Sequence, residues 1–262
     1  MIVRSLGWKT DLALRRLGGS VIEDKGDALV VRTPHNPGFR WGNFVLLRKA
    51  PTAADAPRWM ERYAEWFPDS THVAIGVDAT HGSKTELAAL AALGLDTEES
   101  TVLTARDVHL PPHPNLSAQV RALSSPADWE LSLQLDLDTS DEPVDDGYRV
   151  FAERRVAERK RMVADGKAMW FGAFDRHGLR SQLGLVDAGD GLARFQQVET
   201  HPDARGRGLA GTLVHYASGY GFSELRASQL VMVADPEYHA IGIYRSVGFR
   251  DTHTQLQAER HD

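Results

Sequence analysis

Two arginines and three glycines fall within seven residues, Arg205, Gly206, Arg207, Gly208 and Gly211, at the end of the stretch ETHPDARGRGLAG (199–211). The run before it, LARFQQVET (192–200), reads as a strand, and LAGTLVHYASGYGF (209–222) reads as a helix with Leu209, Leu213 and Tyr216 along one face. The stretch is therefore a strand-to-helix turn. The first N–H groups of such a helix have no intrahelical acceptor, and the helix dipole adds partial positive charge, so an anion is favoured there. Glycine at 206 and 208 lets the backbone approach a ligand closely. Arg205 and Arg207 supply charge that a pyrophosphate could use. A flexible polar corner has the same composition, and the loop alone does not decide. The Gly-x4-Gly-Lys-Ser/Thr spacing is absent, and so is Gly-x-Gly-x-x-Gly with a ribose-binding acid, which removes two common nucleotide loops.

The elements around this turn follow from apolar patterning. AMWFGAFD (168–175), SQLGLVD (181–187) and LARFQQVET read as consecutive strands, then QLVMVAD (229–235) as a buried strand, a short helix and a strand at THTQLQA (252–258). Upstream, LSAQVRAL (116–123) is strand-like, and Ser125, Pro126 and Asp128 cap a helix carrying Trp129, Leu133 and Leu137. A longer helix over 147–165 follows the acidic loop DTSDEPVDD (138–146), and its run ERRVAERKR reads as a solvated face. In the first half, Thr10 is the expected cap of a short helix, strands flank Lys25-Gly26, and GNFVLLRKA (42–50) is another strand. A helix over 55–67 carries the stripe Trp59, Tyr63, Trp66 and Phe67, read as core. HVAIGVD (72–78) is a buried strand, Ser83 and Glu86 read as a capping box, and STVLTA (100–105) is a strand. Asp78 and Asp235 end equivalent strands, 235 − 78 = 157 apart, and Gly94 and Gly248 follow equivalent helices, 248 − 94 = 154 apart. The steady offset indicates two copies of one unit, although strand-helix-Gly-strand also recurs in unrelated α/β chains. LPPHPN (110–115) is the natural linker, dividing the chain into 1–109 and 110–262.

Composition bounds the rest. The chain has 262 residues, 42% hydrophobic and 25% charged, with a formal net charge of −6. That balance suits a folded globular protein and disfavours nucleic acid or an anionic membrane surface as the main partner. No cysteine is present, which excludes disulfides, thiolate metal sites and a cysteine nucleophile and makes a cytoplasmic setting the default expectation. No pair among the 11 histidines has metal-ligand spacing supported by acids, so no metal is expected. His201 reads as a solvated loop residue and His215 as structural.

The spacing Arg205, Gly208, Ala210 is Arg-x-x-Gly-x-Ala, and HPDARGRGLAGTLV resembles the coenzyme A pyrophosphate loop of the GNAT (GCN5-related) N-acetyltransferase superfamily. AIGIYRSVGF (240–249) resembles that family's Ala-x3-Tyr-x3-Gly-Phe segment, one strand further on. The resemblance spans 115–257 in element order, with the specific motifs within 196–249. It implies an α/β fold: a mixed, mostly antiparallel sheet flanked by helices, with a splayed parallel strand pair, here as two units in tandem. It further implies that Val198 and Thr200 pair with the pantetheine arm of acetyl-coenzyme A. The N–H groups of Gly206, Arg207, Gly208, Leu209, Ala210 and Gly211 would then cradle the pyrophosphate beside Arg205. Tyr244 matches the tyrosine that protonates the departing thiolate; packing as a core tyrosine against Phe249 is the other reading. Glu199 is the candidate base through water, with Gln196 or Gln197 orienting that water, and strand alternation leaves open whether it shares the face of Thr200. Glu237 stands where the family often has Asn and is carried as a coenzyme-binding position, although the usual amide contact is in doubt and Asp235 or a backbone group could substitute. The first half lacks the loop and the tyrosine, and is expected to form a wall of the acceptor site or a packing partner.

The implied function is transfer of an acetyl group from acetyl-coenzyme A to a primary amine on a small molecule or peptide. No nucleic-acid or membrane partner is expected, and a homodimer is left open. The alternative is a coenzyme A binding or regulatory module without turnover.

Overall fold

Apolar runs that no charge interrupts become strands covered on both faces. Every residue of β4 (His72–Val77) is buried, and so are all four of β3 (Phe44–Leu47). The computed structural model describes residues 1–141 and 143–261, so Glu142 of the acidic loop lies outside the described residues. Two compact units emerge, and their sequences interleave. One comprises Met1–Val102, Val233–Pro236 and Asp251–Asp262; the other comprises Leu103–Met232 and Glu237–Arg250.

In the first unit the sheet runs β1 (Val21–Asp24), β2 (Ala28–Arg32), β3, β4, β11 (Arg250–His261), β5 (Asp96–Ala105). β2 and β3 are antiparallel, while β3 and β4 are parallel, joined through α2 (Ala56–Trp66). β11 lies antiparallel to β4, from Leu256 opposite Val77 to His261 opposite His72. One face is sealed by Tyr63, Leu87, Leu90, Leu256 and Ala258, the other by Trp8, Leu12, Phe44 and Leu46. Gly76 is obligatory here, since a Cβ on it would sit 2.4 Å from the Trp8 ring. The indole N–H of Trp8 donates to the Val77 carbonyl at 2.8 Å, so the buried tryptophan is also satisfied.

Helix α1 (Leu6–Leu17) starts five residues earlier than the Thr10 cap predicts. Ser5 is the cap, and the Thr10 hydroxyl instead donates back to Leu6 and Gly7 carbonyls inside the helix. The Ser83–Glu86 box is likewise not formed. Ser83 Oγ bonds Thr85 Oγ1, and the chain winds as a 3-10 turn before the short α3 (Ala88–Ala91).

The second unit orders its strands β10 (Gln229–Ala234), β9 (Leu192–Thr200), β8 (Gly178–Gly189), β7 (Ala168–Asp175), β6 (Gln119–Ala122). Again an antiparallel pair, β8 with β9, adjoins a parallel pair, β9 with β10, now joined through α6 (Leu209–Ser223). The capping box of Ser125 with Asp128 does form at the start of α4 (Pro126–Asp138), and Arg121 holds Asp128 with two bonds of 2.8 and 2.6 Å. That guanidinium keeps the Asp128 carboxyl far below the usual carboxylate range. The acidic loop ends with Asp145 capping α5 (Asp146–Ala164) through the Tyr148 N–H at 2.8 Å. The charged run of α5 is not wholly solvated, because Glu158 and Arg159 are buried. On α6, Leu209 and Leu213 are buried but Tyr216 is 48% exposed, so the inward stripe excludes it.

Candidate active site

Turn and helix combine at the start of α6. Gly206 and Gly208 both take left-handed backbone angles, φ 71° and 75°, on either side of Arg207. This alternation turns successive N–H groups toward one concavity. Arg205 N–H bonds the Pro202 carbonyl and Thr212 N–H bonds Gly208. The six N–H groups between them, Gly206 to Gly211, find no protein acceptor among the described residues. The donor set suits a multiply charged anion.

The two glycines earn their place differently. Around Gly206 a Cβ would meet nothing within 4 Å, so its need is conformational and its surroundings are open. At Gly208 a Cβ would fall 2.2 Å from the His113 carbonyl oxygen, because the linker crosses it. The linker is fastened there: Asn115 N–H donates to Thr212 Oγ1 at 2.8 Å and Asn115 Nδ2 to the Arg207 carbonyl at 2.9 Å. Close approach at Gly208 therefore serves the linker rather than a ligand. The arginines are partly engaged. Arg207 pairs with Asp175 at 3.2 Å, and Arg205 Nε turns back onto the Thr200 carbonyl at 3.3 Å.

Strand β9 leads into this loop. Its parallel pairing with β10 covers Leu192–Arg194 opposite Gln229–Val231, yet β9 continues to Thr200. Over the same residues β9 carries a bulge: Gln182 faces Glu199 and Gly184 faces Gln196, so one β8 residue opposes both Gln197 and Val198. Gln197 takes φ 48°, a left-handed value rare for a side-chain-bearing residue. Beyond the bulge, Thr200 meets Ser181 Oγ at 2.9 Å, while the Glu199 carboxyl receives Gln182 Nε2 at 2.9 Å. Neighbouring side chains of a strand point oppositely, so Glu199 and Thr200 lie on opposite faces. Val198 and Thr200 are each partly exposed.

Glu199 sits in a polar cluster beneath α4 and α5. Gln182 Nε2 also donates to Asp136 Oδ1 at 2.7 Å, and Ser132 Oγ fixes the amide by donating to Gln182 Oε1 at 2.6 Å. Arg159 forms a buried salt bridge to Asp136 at 2.8 Å. Burial first, then the Asp136 charge, push the Glu199 carboxyl up to about 8 against the partial relief of Arg159. Gln197 Nε2 reaches Glu199 Oε1 at 3.5 Å, whereas Gln196 turns to the Phe195 carbonyl. His201 is partly buried rather than solvated: Arg180 lies 3.1 Å from its Nδ1, which also accepts from Asp203 N–H.

Tyr244 lies on α7 (Ala240–Arg245) and is buried. Burial chiefly, and Tyr238 secondarily, raise its phenol above the ordinary tyrosine range, so it stays protonated. Its hydroxyl has no hydrogen-bond partner among the described residues. Phe249 packs edge-on against Phe195 of β9 at 5.7 Å, and its N–H returns to the Tyr244 carbonyl. Helix α7 contacts the start of α6, where Ile243 faces bare Gly211. Glu237 is exposed.

Asp136, Ser132, Gln182 and Arg159 escape the sequence reading. A signal existed: Trp129, Ser132 and Asp136 share one buried stripe of α4, and Ala152, Val156 and Arg159 one of α5, so opposite charges stand on two inward faces. A cavity of about 200 Å³ lies in the first unit, lined by Asp27, Arg48, Lys49, Asp55, Arg58 and Trp59 among others. No group of three or more potential metal ligands occurs among the described residues, and no described helix is long and apolar enough to cross a membrane.

No family model matches the chain, and no curated protein matches it in sequence. Solved structures do. A functionally unknown conserved protein from Staphylococcus epidermidis ATCC 12228 aligns with a TM-score of 0.74 at 13% identity, covering 92% of this chain and 93% of that one. A GCN5-related N-acetyltransferase from Kribbella flavida gives 0.66 at 13% identity, with 97% and 96% covered. A tandem GNAT protein from the clavulanic acid biosynthesis pathway gives 0.55 at 15%, with 95% and 87% covered. The chain has the fold of the GCN5-related N-acetyltransferases, with two GNAT-like units in tandem.

Proposed function

We propose that the second unit is an N-acetyltransferase that moves an acetyl group from acetyl-coenzyme A to a primary amine of a small molecule or peptide. The observation that carries this reading is the run of six N–H groups without protein acceptors, Gly206 to Gly211, at the end of a strand whose parallel pairing has already stopped. A diphosphate suits that concavity, and the unpaired edge of β9 at Val198 and Thr200 suits the amides of a pantetheine arm. Glu237 is exposed in the place where the family often has Asn and keeps its candidacy as a coenzyme contact.

In the reaction the amine nitrogen attacks the thioester carbonyl, the C–N bond forms and the C–S bond breaks. One proton leaves the nitrogen for the Glu199 carboxylate, directly or through water held by Gln197. One proton passes from the Tyr244 phenol to the departing thiolate, giving free thiol. Backbone groups at the Gln197–Val198 bulge, outside the β8 ladder, are the candidate donors to the oxyanion. The first half, residues 1–109 in the linear division, has no such cradle and takes no part in this chemistry.

The test is thiol release from acetyl-coenzyme A across a panel of amines, amino acids and peptides. Turnover with at least one amine, lost in Tyr244→Phe, supports the enzyme. Saturable binding of coenzyme A with no acceptor consumed would instead establish a binding module.

A further inference from the structure

The cluster beneath α4 and α5 does more than bury a carboxylate. Gln182 presents one NH2 group to two carboxyls, Asp136 at 2.7 Å and Glu199 at 2.9 Å, and Ser132 prevents the amide from reversing. The two carboxyls therefore stand on either side of one NH2 group, where the Asp136 charge raises the proton affinity of Glu199. A single guanidinium, Arg159, lies against Asp136 at 2.8 Å and over the Trp170 ring, with both charged partners almost wholly buried. Two acids and one base held together carry no net charge when one proton is shared, and the burial of Asp136 and Arg159 favours that state.

We propose that Asp136 and Glu199 work as one proton-sharing pair, with Asp136, Arg159 and Gln182 as positioning residues that set the pH at which Glu199 becomes a base. This rests on the acetyltransferase reading only for the use of the pair, not for its existence. The groups facing Glu199 act in opposing senses. Asp136 from α4 raises its proton affinity and Arg159 from α5 lowers it, while Gln182 from β8 and Gln197 from β9 are neutral donors. Glu158, beside Arg159, is held by Arg155, and His201, two residues on, is engaged with Arg180. With the pair fully ionised, one proton from an amine nitrogen returns it to the shared state, so no further acceptor is needed.

The experiment is a carbon-13 NMR titration of the Glu199 side-chain carboxyl in the full chain, assigned with Glu199→Gln, beside the pH profile of kcat/KM. The wild-type midpoint is expected near 8. Asp136→Asn, which keeps shape and removes the charge, should lower it by at least one pH unit. Arg159→Met should raise it, with a thermal melt confirming that the variant folds. A wild-type midpoint in the ordinary glutamate range, or one unmoved in Asp136→Asn, overturns the pair whether or not Arg159→Met folds. Shifted midpoints without any amine consumed would keep the pair and sink the acetyltransferase. Turnover with an unmoved midpoint would do the reverse.

Discussion

The chain builds the same junction twice, and only one copy leaves it unfinished. In the first unit β3 runs into α2 and returns to the parallel β4; in the second β9 runs into α6 and returns to β10. At the start of α2, Asp55 and Ala56 N–H groups both bond the Thr52 carbonyl, Pro57 has no N–H to offer, and Trp59 N–H bonds Asp55. The Asp55 side chain adds an anion of its own at the helix start. At the start of α6, around two left-handed glycines, six N–H groups have no protein acceptor among the described residues. Topology is shared, so it cannot be what leaves those N–H groups open. The difference lies in which backbone groups the local sequence declines to satisfy.

The strongest attack on this contrast is through chemistry that the first unit has no residue for. Tyr244→Phe should lower kcat by a hundredfold or more, with little change in the KM for acetyl-coenzyme A, measured as thiol release. An undiminished kcat would reduce Tyr244 to a core residue. Glu199→Gln should lower kcat about tenfold to a hundredfold and flatten the rise of kcat/KM through the pair's titration near 8. The stability sign follows. A carboxyl whose proton is held more tightly in the folded state stabilises fully below pH 4.5 and loses that contribution as pH climbs through 8. Urea melts should therefore show wild type losing stability relative to Glu199→Gln over that window. Parallel pH curves would place the carboxyl in water.

The next pair of variants separates cradle from packing. Gly206→Ala meets open space and only an unfavourable φ, so it should cost about 1 kcal/mol of stability and raise the donor KM several-fold. Gly208→Ala drives a Cβ into the His113 carbonyl and should cost about 2–3 kcal/mol. Equal KM values in Gly206→Ala and wild type would remove the anion from the loop. The smallest effect belongs to the first unit. Asp55→Ala should change stability by less than about 1 kcal/mol and leave thiol release within twofold, and a larger change in donor KM would mean that α2 also binds.

Apolar patterning made the strands and long helices legible, because burial on one or both faces leaves a period in the sequence. Caps were legible only where one partner dominates. Ser125 and Asp128 are locked together by Arg121, whereas Ser83 had Thr85 as a nearer competitor, and Thr10 found carbonyls behind it. The strand-to-helix turn with its open N–H groups could be read because glycine and arginine spacing is local. The orientation of Glu199 could not, since it depends on a bulge at Gln197, where a glutamine holds a backbone angle its type does not advertise. The Asp136, Arg159 and Gln182 cluster was hidden for a similar reason: each looks like a surface residue until two helices and a strand close over it.

One consequence follows from β11. Its residues 256–261 lie beside β4, so the middle of the first unit's sheet is made of segments translated far apart. While a ribosome is still working through the second unit, β4 lacks its antiparallel neighbour and presents a bare edge, apolar from Val73 to Val77. The order of synthesis and the order of the sheet thus oppose each other, and the nascent first half must wait, or be sheltered, until its missing strand arrives.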